Sequence, residues 1–218
     1  MTQFTNEDRK RLRRELIEAG HDYFTRFGFD RTRVSDVTSE VGIGTSTFYQ
    51  FFDSKEALYL TVLLSERERL FETLESAMVA AETPREEAEM ILRTTLGEVR
   101  TNPLIRRLFV GGEIRRLESQ LDGATYEGDL TSEQFESPTT FKRVLQQPDE
   151  WVEHDEVWID DPDVVRGLMR SVLFVTQARN TPIIPDDSYE AIEEALIETI
   201  VAGLFTTEEN TDRSTTHD

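Results

Sequence analysis

Small hydrogen-bonding side chains fill one segment of the chain, residues 44–50, whose sequence is Gly-Thr-Ser-Thr-Phe-Tyr-Gln. If this segment is helical, Phe48 faces one side and the polar side chains share the other. The polar side chains are Thr45, Ser46, Thr47, Tyr49 and Gln50. Hydroxyl and amide groups of this size hydrogen-bond to the edges of nucleic-acid bases and to phosphates. The segment therefore favours recognition by hydrogen bonding.

The elements around this segment must form two short helices joined by a tight turn. The first ends at Gly42, because glycine adopts a positive φ at little cost, and the second is predicted over residues 45–52. Val37 and Val41 are expected to pack against Phe48. This is a helix-turn-helix arrangement, in which the second helix enters the major groove of DNA. A plain corner in a helical bundle is the alternative, but it needs no uniformly polar outer face.

The charge of the chain is distributed unevenly. Its 44 acidic and 24 basic residues give a formal net charge of −20, yet residues 1–55 hold nine side chains of each sign. A neutral segment in so acidic a chain favours contact with a polyanion. Only three basic residues are lysines, and this composition is typical of a halophilic cytoplasm of molar salt, where carboxylate repulsion is screened. An acidic protein from an ordinary cytoplasm is the alternative.

Helical spacing extends over most of the chain, and no useful strand alternation occurs, so the predicted fold is all-α. The first helix ends at Gly28, and a long helix follows the N-cap Ser54 to about Ala80. Further helices are predicted over residues 84–102, 103–121, 139–147, 162–179 and 189–205. A loop is predicted over residues 122–137, and residues 148–161 show no interpretable pattern.

The stretch from Phe24 to Leu60, FTRFGFDRTRVSDVTSEVGIGTSTFYQFFDSKEALYL, is a long ordered match to a known pattern. Its matching features are Phe27-Gly28-Phe29, Thr32 with Val34 and Val37, Val41-Gly42-Ile43, Thr47-Phe48-Tyr49 with Phe52, and Ser54-Lys55-Glu56-Ala57-Leu58. The stretch resembles the DNA-binding domain of the TetR family of transcriptional regulators. The resemblance covers about the first quarter of the chain.

The resemblance implies which residues meet DNA. It implies contacts with phosphates for Thr32, Arg33, Tyr49 and Lys55. It implies places near the bases for Thr45, Ser46 and Gln50, on a recognition helix that also holds Gly44 and Thr47. Gly44 departs from the family, which often has a capping Ser or Thr there, and Thr45 replaces a commonly basic or polar residue. These departures leave the operator sequence open.

The resemblance also implies a helical domain after the helix-turn-helix, which binds an effector and forms a homodimer through its last two long helices. The implied domains are residues 1–53 for DNA binding, 54–206 for effector binding and dimerisation, and 207–218 as a polar tail. Apolar side chains of the last helix cover a wider arc than one core face needs. A two-fold four-helix interface would bury the excess, with burial inside a monomer as the alternative. The predicted interface residues are Val165, Leu168, Val172, Ile192, Leu196, Ile200 and Leu204.

By the same resemblance, the effector pocket lies between the middle helices, roughly over residues 84–179. Aromatic side chains could stack on a ligand there, and polar ones could orient it, although core packing is the commoner role of such aromatics. The candidates are Arg106, Phe109, Trp151, Arg170, Phe174 and Gln177. An amphipathic or aromatic small molecule is the expected effector.

Other kinds of function find little support in the residues. The chain has no cysteine, which excludes a disulfide framework and a thiolate site. His154 lies among carboxylates, but such clusters are usually only solvated. No catalytic or phosphate-binding motif occurs, so no metal, cofactor or enzyme activity is expected. No apolar run is long enough for a membrane span, and the expected location is the cytoplasm, on the nucleoid when DNA is bound.

The hypothesis is therefore a homodimeric repressor that a small-molecule effector releases from a double-stranded DNA operator. The first alternative is a structural or interaction protein of the same fold, which marks chromosome sites or binds a protein partner without an effector. A helical-bundle enzyme is the third hypothesis, and it would need a cofactor or metal that co-purifies.

Overall fold

The computed structural model describes residues 5–110, 139–178 and 188–205, and these residues are helical with short connections. The helices of the first half are α1 (Asn6–Phe27), α2 (Val34–Val41), α3 (Thr45–Phe48), α4 (Lys55–Met78), α5 (Pro84–Thr101) and α6 (Pro103–Phe109). Those of the second half are α7 (Thr139–Glu153), α8 (Pro162–Ser171), α9 (Phe174–Ala178) and α10 (Tyr189–Leu204). An isolated bridge joins Val157 to Phe205, and no strand occurs in the described ranges. The all-α prediction is confirmed.

Helix α1 has well-defined ends. The Thr5 hydroxyl accepts a hydrogen bond from the backbone N–H of Asp8, and the Asp8 carboxylate accepts one from the backbone N–H of Thr5. This reciprocal pair is a capping box, which satisfies two donors that a helix start would leave exposed. Gly28 ends the helix with φ 77°, and its N–H donates to the Phe24 carbonyl. The first element therefore begins and ends where its sequence places the caps.

The described residues divide into two compact units. The N-terminal unit comprises residues 5–69 and 102–110. Its core includes Phe24 of α1, Phe48 of α3, Leu63 of α4 and Leu104 of α6. The division into compact units thus falls within α4, because Leu58, Tyr59, Val62 and Leu63 of α4 are buried in the same core as the helix-turn-helix. The functional boundary expected after residue 53 stays a prediction.

The C-terminal unit comprises residues 70–101, 139–178 and 188–205. Its core includes Leu92 and Leu96 of α5, Trp151 of α7, and buried side chains of α8 and α10. The Trp151 ring meets Phe205 edge to face at 5.5 Å between centroids, and its indole N–H donates to a Glu87 carboxylate oxygen at 3.1 Å. Partnering the indole N–H allows so large a ring to be buried.

Three helices differ from their predicted lengths. Helix α7 continues past Pro148 to Glu153, because Val144, Gln147 and Trp151 follow one another on a buried face. The helix predicted over residues 162–179 is interrupted between α8 and α9 by three-residue hydrogen bonds such as Leu173 N–H to the Arg170 carbonyl. Helix α3 is α-helical only to Phe48. The predictions for residues 111–138, 179–187 and 206–218 lie outside the described residues.

Candidate nucleic-acid interface

The turn between α2 and α3 has the geometry that the helix-turn-helix requires. Gly42 adopts φ 74° and ψ 28°, a left-handed conformation that glycine reaches without steric cost. The backbone N–H of Ile43 donates to the Thr38 carbonyl at 3.0 Å, which closes the end of α2. Val37 and Phe48 are buried together in the N-terminal core, with Val41 partly buried against them. The predicted seam between the two helices is thus present.

We define the recognition segment as residues 44–52. It forms one α-helical turn followed by tighter turns, with the Gln50 N–H donating to the Thr47 carbonyl at 3.0 Å and the Phe51 N–H to the Phe48 carbonyl at 2.9 Å. Phe48 is fully buried, and Thr47 is half-buried. The segment therefore has one anchored side.

The other side of the recognition segment is exposed. Tyr49 is 56% exposed and lies edge to face against the Phe48 ring at 5.3 Å. The remaining exposed positions are Gly44, Thr45, Ser46 and Gln50. Hydroxyl, phenol and amide groups are thus presented on a backbone that the buried Phe48 fixes, which is the arrangement needed to hydrogen-bond to base edges and phosphates.

Thr32 and Arg33 lie just before α2, and the structure gives them different places. The Thr32 side chain is buried, and its hydroxyl donates to the Gly28 carbonyl at 2.8 Å. Its hydroxyl is therefore a structural link in the loop, which corrects the expectation that this side chain meets phosphate. Arg33 is exposed, with its backbone N–H donating to Asp36 Oδ2 at 2.9 Å. The contact of the Arg33 guanidinium with phosphate stays a prediction.

Lys55 has an internal role that its sequence position did not reveal. Its Nζ donates to the carbonyls of Phe29 and Thr32, at 2.9 and 3.1 Å, and lies 4.0 Å from the centroid of the Phe29 ring. The ammonium thus ties the loop between α1 and α2 to the start of α4. Because these partners are backbone carbonyls 23 and 26 residues away, no local pattern could have identified them. An ammonium has three N–H donors, so the implied phosphate contact of Lys55 stays a prediction beside this internal role.

A buried polar network crosses the N-terminal unit. Glu66 of α4 is 4% exposed at its side chain, and its Oε1 lies 3.2 Å from Nε2 of His21 and 2.7 Å from a guanidinium nitrogen of Arg69. Its Oε2 accepts a hydrogen bond from the Asn102 amide at 2.6 Å. The Asn102 Oδ1 in turn accepts from the backbone N–H of Leu104, so Asn102 caps α6. The network therefore joins α1, α4 and the start of α6.

The network changes the pKa of both of its titratable members. The hydrogen bond to Glu66 raises the pKa of His21 above its ordinary value of 6.5. Burial alone would raise the pKa of Glu66, but hydrogen bonds from His21 and Asn102 and the charges of His21 and Arg69 lower it to about 2. Both shifts favour a charged His21–Glu66 pair in the folded protein.

The predicted effector residues are not gathered in one unit. Arg106 and Phe109 belong to the N-terminal unit, where the first is exposed and the second half-buried. Trp151 is a core residue of the C-terminal unit, which corrects its assignment as a ligand contact. Arg170 and Phe174 are exposed in the same unit, and the side chain of Gln177 lies outside the described residues.

An open groove of about 340 Å³ lies between α5 and α10 within the C-terminal unit. Arg93 in its wall forms a short charge pair with Glu194 and a second pair with Glu89 at 2.8 Å. Arg100 lies 3.8 Å from the buried carboxylate of Glu193. Both arginines of this groove are thus paired with carboxylates of α5 and α10, and these pairs account for its polar lining.

The predicted dimer residues fall into two groups. Val165, Val172 and Leu204 are at most 1% exposed in the core of the C-terminal unit. These three residues were predicted to lie in the dimer interface, but they belong to the core instead. A side chain with almost no accessible surface cannot be buried further by a partner. Leu168 and Ile192 remain 41% and 36% exposed. Leu196 and Ile200 are partly buried.

Metal ligation and membrane insertion find no support in the described part of the chain. Among these residues, no group of three or more histidine and carboxylate side chains could hold a metal ion. His154 has its Nδ1 2.8 Å from the carbonyl of Glu150, within its own helix end. No helix among the same residues is long and apolar enough to cross a membrane.

A glycine turn, a buried seam and an exposed polar second helix define a helix-turn-helix protein. Residues 16–62 match the family described as bacterial regulatory proteins, tetR family, and the chain as a whole is similar to transcriptional regulators of this type.

Relatives and solved structures agree with this assignment. An uncharacterized HTH-type transcriptional regulator of Mycobacterium tuberculosis, Rv1255c, is 27% identical over 134 residues. That match covers 59% of this chain and 66% of the relative, so the chain spans just under two thirds of its length. The proteins that the chain resembles are regulators, which agrees with the prediction that it is not an enzyme.

Two crystal structures share the fold. A TetR-family transcriptional regulator from Mesorhizobium loti superposes with a TM-score of 0.62 at 19% identity, over 93% of this chain and 100% of that one. RolR in complex with its ligand resorcinol superposes with a TM-score of 0.60 at 16% identity, over 93% of this chain and 99% of that one. At such identities the likeness establishes the fold.

Proposed function

We propose that this TetR-family regulator binds operator DNA as a homodimer and acts as a repressor that a small molecule releases. The observation that supports DNA binding most directly is the recognition segment. Its exposed side chains are neutral hydrogen-bonding groups, and its buried Phe48 fixes their backbone to a core shared with α1 and α4. Such a segment suits the major groove, where each base pair presents a distinct pattern of donors and acceptors.

Electrostatics favours recognition through fit and hydrogen bonds. The recognition segment has no charged side chain, and the Lys55 ammonium is engaged by backbone carbonyls. Arg31 and Arg33, which precede α2 in the chain, supply exposed positive charge. Because each neutralised phosphate contributes about 0.9 to the slope of log affinity against log salt, few such contacts give a shallow slope. This suits the high-salt cytoplasm that the acidic composition indicates.

The proposed dimer face consists of exposed side chains on α8, α9 and α10. Val164, Leu168, Phe174 and Ile192 are 36–67% exposed. Small residues, Ala195, Thr199, Ala202 and Gly203, continue the face along α10. Large apolar side chains are usually covered, and small ones allow a second helix to approach closely. A two-fold pairing of this face would place two recognition segments on one DNA site.

An effector would act on the spacing of the two recognition segments. A ligand shifts a conformational equilibrium only through its different affinities for the two states. We propose that it favours a state whose segments no longer match successive major grooves. RolR, which shares the fold, is bound to resorcinol in its structure, which supports an aromatic small molecule as the class of effector. Arg106, Phe109 and Arg170 remain the candidate contacts, whereas Phe174 is assigned to the dimer face.

Footprinting on DNA that flanks the protein's own gene, in about molar KCl, tests the proposal. We expect a short protected palindrome whose half-sites are one helical turn apart or somewhat more. A Thr45→Ala, Ser46→Ala, Gln50→Ala variant should lose the protection. A matched Ser76→Ala, Thr101→Ala variant, which removes exposed helix hydroxyls elsewhere, should keep it.

Two outcomes would contradict the proposal. Protection that is absent, or unchanged in the recognition-segment variant, would remove the assignment of DNA binding to residues 44–50. Sequencing of the genomic fragments that the protein retains in the same salt is the companion measurement, and binding at many scattered sites would favour the alternative of a chromosome-marking protein.

A further inference from the structure

Two arginines of α1 contact the end of the recognition segment. Arg9 donates from Nη2 to the backbone carbonyl of Gln50 at 3.2 Å, and its Cζ lies 5.2 Å from the centroid of the Phe51 ring. Arg13 lies one helical turn further along, with its Cζ 4.8 Å from the centroid of the Phe52 ring. Side chains four residues apart share a face of a helix. One face of α1 therefore covers the last three residues of the recognition segment.

The recognition segment needs such support because it is short. Helix α3 comprises four residues, Thr45–Phe48, and so few residues do not form a stable helix by themselves. Phe48 anchors its middle, whereas the turns over residues 49–51 follow on the exposed side. The hydrogen bond from Arg9 to the Gln50 carbonyl therefore fixes the backbone in the middle of these turns.

Helix α1 is a firm base for these contacts. Its capping box defines its start at Thr5 and Asp8, close in sequence to Arg9. Leu12, Leu16 and Phe24 along its length are buried, and Leu16 and Phe24 belong to the core that holds Phe48. The arginines thus project from an element that is packed independently of DNA.

We propose that Arg9 and Arg13 are positioning residues, which hold the recognition segment in the orientation that contacts bases, and that they are not phosphate contacts. The proposal rests on the proposed DNA-binding function. If only charge is considered, Arg9 and Arg13 resemble the other basic residues of α1, which attract a polyanion without a specific contact. Their targets in the structure are a carbonyl and two aromatic faces of the protein itself.

The geometry of the contact at Arg9 favours arginine over lysine. A planar guanidinium stacks on an aromatic face and donates in its own plane at the same time, whereas an ammonium is a compact point charge. Substitution by lysine keeps the charge, and with it any attraction to phosphate, but loses the geometry. Arg9→Lys and Arg13→Lys therefore separate the two roles.

The test measures affinity for the duplex that the wild-type protein selects from a random pool of about 20 base pairs, roughly two turns of B-DNA. Arg9→Lys and the Arg9→Lys, Arg13→Lys double variant should bind about tenfold more weakly, with the salt slope unchanged. Lys10→Gln, an exposed neighbour on α1, is the control and should bind within about twofold of the wild type.

Two results would overturn the positioning role. The first is full affinity in the lysine variants. The second is an Arg9→Gln variant whose salt slope is shallower than that of the wild type by about 0.9, because such a decrease means that one phosphate is no longer neutralised.

A measurement without DNA keeps the two proposals apart. Amide hydrogen exchange of residues 50–52 should be about tenfold faster in the Arg9→Lys, Arg13→Lys variant, with exchange of the buried α4 amides unchanged. If the wild type selects no duplex, the proposed DNA-binding function is wrong. If exchange at residues 50–52 is unchanged in the variant, the positioning role is wrong, whatever the result with DNA.

Discussion

Among single residues, Lys55 has a structural role that its residue type did not reveal. A lysine at a helix start beside a recognition segment indicates a phosphate contact, but the structure turns its ammonium to two carbonyls of the loop before α2. Its main effect should therefore be on folding. Lys55→Gln should lower the free energy of unfolding by about 2 kcal/mol, because hydrogen bonds from a charged group are lost and their acceptors remain.

Urea unfolding monitored by circular dichroism measures this effect. Lys10→Gln, which removes an exposed lysine of the same unit, should change the free energy of unfolding by no more than about 0.5 kcal/mol. Equal losses in the two variants would show that the carbonyl contacts of Lys55 do not stabilise the loop.

His21 and Glu66 make stability depend on pH in a defined direction. The raised pKa of His21 contributes stability that is complete below 6.5 and is lost as pH rises through the folded-state pKa. The pKa of Glu66, lowered from 4.5 to about 2, contributes stability above 4.5 that is lost as pH falls toward 2. The pair should therefore stabilise the fold most between about pH 4.5 and 6.5.

Urea midpoints at about pH 6 and about pH 9, on either side of the histidine titration, test this window. The wild type should be less stable at the higher pH, and His21→Gln should lose that part of the dependence. His154→Gln, at an exposed histidine of the other unit, should retain it. An identical pH dependence in the wild type and His21→Gln would show that the charged pair does not form.

Among the elements, the turn between α2 and α3 depends on one glycine. Gly42 has φ +74°, and among the described residues no heavy atom beyond its two chain neighbours lies within 4 Å of the position that a Cβ would take, so its requirement is conformational and not steric. Gly42→Ala should cost about 1 kcal/mol of stability. Gly44→Ser is the control, because Gly44 has φ −80° at the N-cap of α3, where serine is favoured by roughly a few tenths of a kcal/mol.

Thermal unfolding of the two variants distinguishes these effects. The midpoint of Gly42→Ala should fall and that of Gly44→Ser should stay or rise. A fall of equal size in both would mean that the turn is sensitive to any side chain and that the left-handed conformation is not its cause.

The elements also show how far sequence reasoning reaches. Helices with local caps and clear apolar spacing, such as α1 with Gly28 and α6 with Asn102 before Pro103, can be predicted because their signals lie within a few residues. The interruption between α8 and α9 and the passage of α7 through Pro148 depend on packing against distant residues. The helix-turn-helix was predictable because its signals also lie within a few residues. The contacts of Arg9, Lys55 and Glu66 were not predictable, because their partners lie far along the chain.

For the whole molecule, the proposed function requires two copies to act together. The proposed dimer face exposes Leu168 and Ile192 on helices whose opposite sides are buried in the core. A Leu168→Glu, Ile192→Glu variant should be monomeric, because a charge placed in an apolar interface is not compensated. It should also lose most of its affinity for a palindromic site.

Analytical ultracentrifugation over a range of concentrations measures the change. Val79→Glu is the matched control, since Val79 is an exposed apolar residue of the same unit, outside the proposed face. A wild type that sediments as a monomer, or a double variant that remains a dimer, would contradict this interface.

The central claim of the proposed function is that the recognition segment contacts bases. Selection from a random DNA pool examines these contacts without knowledge of the operator, with the wild type, Ser46→Arg and Gln50→Arg compared. Arginine prefers guanine, whose O6 and N7 it binds with two hydrogen bonds. We predict that each variant changes the preferred base at one pair of symmetric positions and leaves the rest of the palindrome unchanged. If both variants select the wild-type sequence, the recognition segment does not contact bases and its assignment is wrong.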